Sequence, residues 1–212
     1  MQKNILVVDD SDFDRSLANK VLTRRGLNVI EASNGDECLS IINDSKIDLI
    51  LMDIMMPGLL GTDLLSKIRK KYNTIELPII MVTSKSDVSD IIECLQSGAN
   101  DYITKPINVD ITYSRISTHL KMAELSKTMS RMQQIATLDA MIATYNHEIN
   151  NQLSIALGCI NCDFEKKPEN RKKLEDSLWL IADIIKKIKN TSEEKELKFS
   201  DYTAGSKMLK LD

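Results

Sequence analysis

The sequence predicts a doubly wound α/β domain followed by an all-α helical hairpin, and three observations indicate this fold class. Short apolar runs alternate with amphipathic helical stretches up to about residue 120. A helical period without glycine or proline extends from residue 108 to Gly158. The 212 residues exceed a typical single α/β domain but are few for two full ones. We therefore expect two small units.

Five apolar runs are the predicted strands. Their near-continuous Val, Ile and Leu content is typical of strands buried on both faces, as in a parallel sheet with helices on each side. The runs are Ile5–Val8, Val29–Ala32, Leu49–Met52, Ile79–Val82 and Tyr102–Ile103. Helical stretches are predicted around 14–25, 35–43, 61–71, 87–97 and from 108 onward. This repeat predicts a five-stranded parallel sheet, which binds ligands beyond the carboxyl ends of its strands.

Polar residues follow these predicted strands. Asp9 and Asp10 come after the first strand, Asp53 after the third, Thr83 after the fourth and Lys105 after the fifth. Convergent carboxylates require a cation to stay ionised, and hard oxygen ligands suit Mg²⁺. A lysine and a hydroxyl can bind the oxygens of a phosphoryl group. A single aspartate at a strand end is usually a turn or cap residue, but this set of residue types is hard to obtain by chance.

Four segments resemble the receiver domain of bacterial response regulators, which has a flavodoxin-like fold. They are Ile5–Asp10, Leu51–Gly58, Val82-Thr83 and Gly98–Pro106, and their order and spacing agree from residue 3 to about 120. The resemblance implies that Asp53 is the phosphoacceptor. It also implies that Asp10, Asp53 and the main-chain carbonyl of Met55 bind Mg²⁺ directly, and that Asp9 binds it through water.

The same resemblance implies roles for three further residues. Thr83 and Tyr102 would form the switch pair, and Lys105 would sense the phosphoryl group from a cis Lys105–Pro106 peptide. The sequence departs from the family at Leu60, where many receivers carry Asp. We expect Leu60 to lie outside the pocket and to leave its chemistry intact.

Apolar stripes in the second half predict two long helices. The first stripe breaks phase after Met132, and a turn is predicted at Lys167-Pro168-Glu169. The stripes are Met122, Leu125, Met129, Met132, Ile135, Leu138, Ile142, Tyr145 and Ile149, then Leu174, Leu178, Ile181, Ile185 and Ile188. Two helices cannot bury both stripes alone, so we predict a homodimer that closes a four-helix bundle.

His147 lies outside the first stripe, and its neighbours indicate a function for it. Glu148 could accept a hydrogen bond from the ring and favour the nucleophilic tautomer. Asn151, one turn later, could orient a water for hydrolysis of an acyl phosphate. A lone histidine on a helix surface usually has no role, and we expect His119 to be such a residue.

The segment Leu138–Leu157 resembles the histidine-box helix of sensor histidine kinase dimerisation and phosphotransfer domains, and the resemblance covers about residues 125–190. It implies that His147 is phosphorylated and that Glu148 and Asn151 are the acid and amide of a phosphatase motif. Gln152 stands where this box usually has Pro. A short tail follows residue 190, without a Gly-rich lid or ATP-binding helix, so we expect no ATP-dependent autokinase.

These patterns predict a receiver domain at 1–120, a dimerising phosphotransfer-like hairpin at 121–190 and a tail at 191–212. The predicted function is a two-component phosphorelay between Asp53 and His147, with sensor histidine kinases or other receivers as partners. Three alternatives stay open. The bundle could be a non-catalytic docking platform, it could dephosphorylate a partner receiver through Glu148 and Asn151, or the chain could be a segment of a hybrid kinase.

Composition and charge limit the classes of function that the sequence could have. A formal charge of −3 and a pI near 5.5 give no electrostatic support for nucleic-acid binding. No apolar run approaches the ~20 residues that span a bilayer, and no signal peptide is evident, so we expect a cytoplasmic protein without membrane contact. Cys159 and Cys162 could suggest a metal or redox site, but further ligands are lacking nearby, and we interpret them as packing residues.

Overall fold

The computed structural model describes residues 2–84, 88–161 and 169–200. The chain divides into two compact units, Met1–Arg131 and Met132–Asp212. The boundary that we predict at residue 120 lies within one continuous helix. The division into a receiver, a hairpin and a tail therefore stays a prediction.

A five-stranded parallel sheet forms the centre of the first unit, with strand order β2-β1-β3-β4-β5. The predicted doubly wound α/β class is confirmed, and each predicted run is a strand. The strands are β1 Asn4–Val8, β2 Asn28–Ala32, β3 Leu49–Asp53, β4 Ile79–Thr83 and β5 Asp101–Thr104. β3 and β4 each extend one residue past the apolar run, so that Asp53 and Thr83 are their last residues.

The helices of this unit are α1 Asp12–Arg24, α2 Gly35–Asp44, α3 Gly61–Arg69, α4 Val88–Gln96 and the start of α5 Val109–Ile160. Side chains cap two of them, because the Ser11 hydroxyl accepts from the N–H of Asp14 and the Asn34 amide oxygen accepts from that of Glu37. Leu60 occupies the same position before α3 and makes no such bond. The departure at Leu60 thus removes a cap.

Alternate residues of the strands pack into two layers of core. On one face, Leu6, Ile50 and Met81 lie with buried residues of α2, α3 and α4. On the other face, Ile5 and Ile80 lie with buried residues of α1 and α5. Burial on both faces explains why the central strands β1, β3 and β4 consist almost entirely of apolar residues, without the alternation of a half-exposed strand.

Gly61 brings α3 against the end of β3. A Cβ atom at this position would lie 2.2 Å from the carbonyl oxygen of Asp53 and 2.9 Å from the Cα of Ile54. The N–H of Gly61 donates to the carbonyl of Ile54 at 2.9 Å. The absence of a side chain therefore permits the close approach that fixes the chain just after Asp53.

The second unit contains the later part of α5 and a further helix, α6 Glu169–Ser200. The predicted turn lies outside the described residues except for Glu169, the first residue of α6. The backbone stays helical past residue 191, where a tail was expected. In the described parts of the chain, no helix combines the length and apolar character needed to cross a membrane.

The predicted apolar stripes divide between two environments. Leu138, Tyr145 and Ile149 are half-buried, whereas Ile142 is 54% exposed. On α6, Ile181 is half-buried and Ile185 is 56% exposed, whereas the buried residue Ile184 lies outside the predicted stripe. A single chain therefore covers only part of each stripe and leaves apolar side chains in contact with solvent. The helical hairpin and its dimerisation remain proposals.

Candidate functional site

Lys105 lies at the centre of a group of carboxylates at the carboxyl ends of the strands. Its ammonium donates to Asp53 Oδ2 at 2.6 Å, to Asp9 Oδ2 at 2.7 Å and to Asp14 Oδ2 at 2.9 Å. An ammonium has three N–H donors, so these contacts account for all of them. The structure thus brings together Asp9, Asp53 and Lys105, as the strand-end pattern predicts.

Asp53 is buried, and both of its carboxylate oxygens accept hydrogen bonds. Oδ2 accepts from Lys105, and Oδ1 accepts from the main-chain N–H of Met55 at 2.9 Å. Burial raises the pKa of Asp53 above its usual value, although these two hydrogen bonds oppose the shift. Burial alone would lower the pKa of Lys105, but its bonds to Asp53, Asp9 and Asp14 raise it.

Asp9, Asp10 and Asp53 fit a divalent cation. One oxygen from each of the three lies within 4.8 Å of the others, and Asp10 is the exposed member. Three hard oxygen donors at this spacing suit Mg²⁺. Met55 is adjacent, because its N–H binds Asp53, and its carbonyl as a ligand stays a prediction.

The main chain of Lys105 is anchored to β4. Its N–H donates to the carbonyl of Thr83 at 2.8 Å, and the Lys105–Pro106 peptide is cis, which confirms that expectation. Thr83 is buried at the strand end, and Tyr102 is half-buried with the guanidinium of Arg115 5.6 Å from its ring centroid. Whether Thr83 and Tyr102 act as a switch pair stays a prediction.

Asp14 is a site residue that the sequence analysis did not identify. The pattern of polar residues at strand ends does not include Asp14, because Asp14 lies in the first turn of α1. An acid at that position is common because it compensates the helix dipole, so its type alone carries little information. The available signal was spacing: a helix that starts just after Asp10 turns its first residues towards the strand ends.

The expectation that His119 is an unaccompanied surface residue is wrong. His119 is half-buried, and its Nε2 lies 3.4 Å from Asp101 Oδ2. Arg115, four residues earlier on the same helix face, donates to Asp101 as well. Burial acts to raise the pKa of Asp101, but the bonds from Arg115 and the N–H of Tyr102 hold it below its usual value.

His147 is exposed on α5, as predicted, and its ring contacts Asn151. The amide nitrogen of Asn151 lies 3.2 Å from His147 Nδ1. The role of Glu148 beside the ring stays a prediction. The pKa of Lys187 is raised, chiefly by its hydrogen bond to Asp183 and to a lesser extent by Glu148.

Comparison with known proteins identifies the first unit. The family profile of the response regulator receiver domain matches residues 5–117. The chain belongs to the response regulator receiver family. Receiver domains generally bind Mg²⁺ through acidic residues, which agrees with the carboxylate group around Asp53. Receiver domains also interact with sensor kinases.

Solved receiver structures share the fold. The receiver domain of Francisella response regulator 1452 is 32% identical with a TM-score of 0.53, covering 57% of this chain and 98% of its own. A CheY-like receiver domain from Methanospirillum hungatei is 31% identical with a TM-score of 0.56, covering 59% and 99%.

Curated relatives are transcriptional regulators. AfsQ1 of Streptomyces coelicolor is 34% identical over 68% of this chain and 64% of its own length. PhoB of Pseudomonas aeruginosa is 37% identical over 56% and 52%. The chain thus spans between half and two thirds of the length of these relatives. Their names give no support to the expectation that nucleic acid is not a partner.

Replacing Asp53 with Asn should stabilise the metal-free receiver at pH 7.5. Because folding raises the pKa of Asp53, its ionised form weakens stability above the folded pKa, and this cost disappears below the unfolded pKa. We expect urea unfolding in EDTA to show a gain of about 1 kcal/mol that vanishes below about pH 4. Mg²⁺ should stabilise the wild type more than the variant. Asp63→Asn, on an exposed residue of α3, should give no gain, and a loss of stability in Asp53→Asn would contradict the burial argument.

Proposed function

We propose that this protein is a two-component response regulator that accepts a phosphoryl group on Asp53 and exchanges phosphoryl groups through His147. The observation that carries the first part is the 2.6 Å contact between Lys105 and Asp53 inside a group of carboxylates. A cation fixed beside one carboxylate oxygen can bind the phosphoryl oxygens of a group attached there.

In the acceptor step, a carboxylate oxygen of Asp53 attacks the phosphorus and the bond to the donor breaks. Lys105 then binds the transferred group with the N–H that it now gives to Asp53 Oδ2. When bound, Mg²⁺ supplies positive charge beside the phosphoryl oxygens, and Asp9, Asp10, Asp53 and the Met55 carbonyl would hold it. Thr83 and Tyr102 would respond to the phosphoryl group.

Asp53 should carry all the phosphate that the receiver takes up from a small phosphodonor. With Mg²⁺ and acetyl phosphate, we expect intact-mass spectrometry to show one added phosphate on the wild type and none on Asp53→Asn. Asp63→Asn should be labelled like the wild type. Equal labelling of Asp53→Asn and wild type would sink the assignment.

The proposal for His147 rests on its exposure and on the contact with Asn151. An exposed imidazole can reach the phosphoaspartate of another protein, and an unprotonated ring nitrogen is a nucleophile. The contact with Asn151 favours the ring orientation in which Nδ1 faces the amide. These features suit exchange of phosphoryl groups with a sensor kinase or another receiver.

Two substitutions separate the functions proposed for this helix. His147→Gln should abolish transfer to or from partner receivers if the histidine carries phosphate. Asn151→Ala should slow loss of phosphate from a partner receiver if the helix acts as a phosphatase with Glu148 and Asn151. Radiolabel transfer followed over time measures both, and Asn150→Ala on an exposed neighbour is the control. Unchanged phosphate kinetics in both variants would exclude chemistry at His147.

A second candidate is a regulator whose helical unit only docks a partner. The names of the curated relatives describe transcriptional regulators rather than phosphotransfer proteins, and they support docking by the helical unit no better than phosphotransfer. It predicts that signalling depends on Asp53 but not on His147 or Asn151.

We further propose that the helical unit pairs with a second copy through its exposed apolar side chains. These include Ile135, Ile142, Leu153, Leu157, Leu178 and Ile185. Soluble monomers rarely leave such continuous apolar surface uncovered, and two copies could close a four-helix bundle.

Glutamate at the exposed apolar positions should break the dimer without unfolding the helices. Ile142→Glu and Ile185→Glu each place a charge on the proposed interface, so we expect sedimentation at micromolar concentration to show monomers. Because both side chains are more than half exposed in the single chain, circular dichroism should be unchanged. Trp179→Glu, outside the stripe, is the control. A wild-type monomer would refute the bundle.

A further inference from the structure

The third carboxylate on Lys105 differs from the other two. Asp14 lies on α1 rather than at a strand end, and its side chain is 31% exposed, compared with 6% for Asp9 and for Asp53. The N–H of Asp14 donates to the Ser11 hydroxyl in the first turn of α1, which fixes its position. Asp14 therefore holds Lys105 from the solvent side of the pocket.

The charges around Lys105 are not balanced. The single ammonium of Lys105 pairs with three carboxylates, at N–O distances of 2.6 to 2.9 Å. By contrast, Asp12 on the same turn of α1 has its own cation, because Arg15 donates to it. Asp14 shares its cation and thus adds negative charge where a phosphodonor must enter.

We propose that Asp14 is a positioning residue that competes with the incoming phosphoryl group for Lys105, and thereby makes Asp53 favour donors of low negative charge over dianionic ones. The inference rests on the proposed role of Asp53 as acceptor. Asp9 and Asp53 belong to the carboxylates that fit a metal, whereas Asp14 lies outside that group. Asp14 is therefore the partner of Lys105 to which the described residues offer no other cation.

The competition follows from the geometry of an ammonium. Lys105 has three N–H donors and all are used, so a phosphoryl oxygen gains a bond only when a carboxylate releases one. Neutralising Asp14 weakens its hold on one donor, because a neutral amide oxygen accepts more weakly than a carboxylate, and removes a negative charge near the entering phosphate. Both changes favour an anionic donor, and by Coulomb's law the second change favours a dianion more than a monoanion.

Donor charge also distinguishes two chemical classes. An acyl phosphate such as acetyl phosphate enters as a dianion, and its carboxylate leaves with the electron pair of the P–O bond. A nitrogen-linked donor such as phosphoramidate or phosphohistidine carries less net negative charge when its nitrogen is protonated. That nitrogen keeps the electron pair of the P–N bond and leaves as a neutral amine or imidazole. Asp14 thus favours the nitrogen-linked class.

The test compares acetyl phosphate and phosphoramidate as donors to the full chain with saturating Mg²⁺. Asp14→Asn should raise kcat/KM for acetyl phosphate about three- to tenfold, mainly through KM, and should raise it less for phosphoramidate. Asp14→Glu should retain the wild-type preference. The difference between Asp14→Asn and wild type should shrink at about 1 M salt, where the Debye length is about 3 Å.

Asp12→Asn is the matched control, because it removes the same charge two residues before Asp14. The Asp12 side chain is 93% exposed and binds Arg15 rather than Lys105. It should leave both donors unaffected. An equal gain for both donors, a gain that salt does not reduce, or the same gain in Asp12→Asn would overturn the inference, as would unchanged kinetics in Asp14→Asn. If neither donor labels Asp53 in the wild type, the acceptor assignment fails as well. If labelling requires Asp53 but has the same kinetics in Asp14→Asn and the wild type, only the inference about Asp14 fails.

Discussion

The ion pairs of Lys105 with Asp53, Asp9 and Asp14 are the interaction on which the site depends. Two of these carboxylates are buried, and a buried ionised carboxylate without a partner would cost several kcal/mol. Lys105 offsets that cost from the end of β5, so the same cation that stabilises the folded receiver is already placed to bind a phosphoryl group. The stability of the folded receiver and the binding of a phosphoryl group therefore both depend on the Lys105 side chain.

Main-chain contacts fix the positions of Lys105 and Asp53 relative to each other. The N–H of Lys105 donates to the carbonyl of Thr83, which ties the loop after β5 to the end of β4. Gly61 lets α3 approach the carbonyl of Asp53, and the N–H of Met55 holds the Asp53 carboxylate from the other side. The acceptor is thus positioned by backbone groups of neighbouring elements, which tolerate substitutions of most surrounding side chains but not of Gly61.

The sequence predicted the sheet and most of this site because a strand that is buried on both faces appears in the sequence as a continuous apolar run. Strands such as β3 and β4 are apolar at every position before their last residue, and that polar last residue marks the strand end where ligands bind. No apolar run of this kind marks the positions of Asp14 and His119, which lie on helices. Each acts through the phase of a helix that brings it to a partner distant in sequence, and only the assembled structure shows this. The apolar stripe was predicted as one surface, but residues such as Ile142 and Tyr145 differ in burial because a narrow helix-helix contact covers few positions.

The two residues proposed to carry phosphate lie in opposite environments, and the contrast is physically consistent with exchange between proteins. The side chain of Asp53 is almost fully buried beside Lys105, so a donor must project into its pocket. His147 is exposed on the surface of a long helix, and the side-chain amide of Asn151 contacts its ring. A projecting imidazole can enter a receiver pocket, whereas two recessed groups could not approach within bonding distance. Exposure of the histidine is therefore as much a requirement of the proposed exchange as burial of the aspartate.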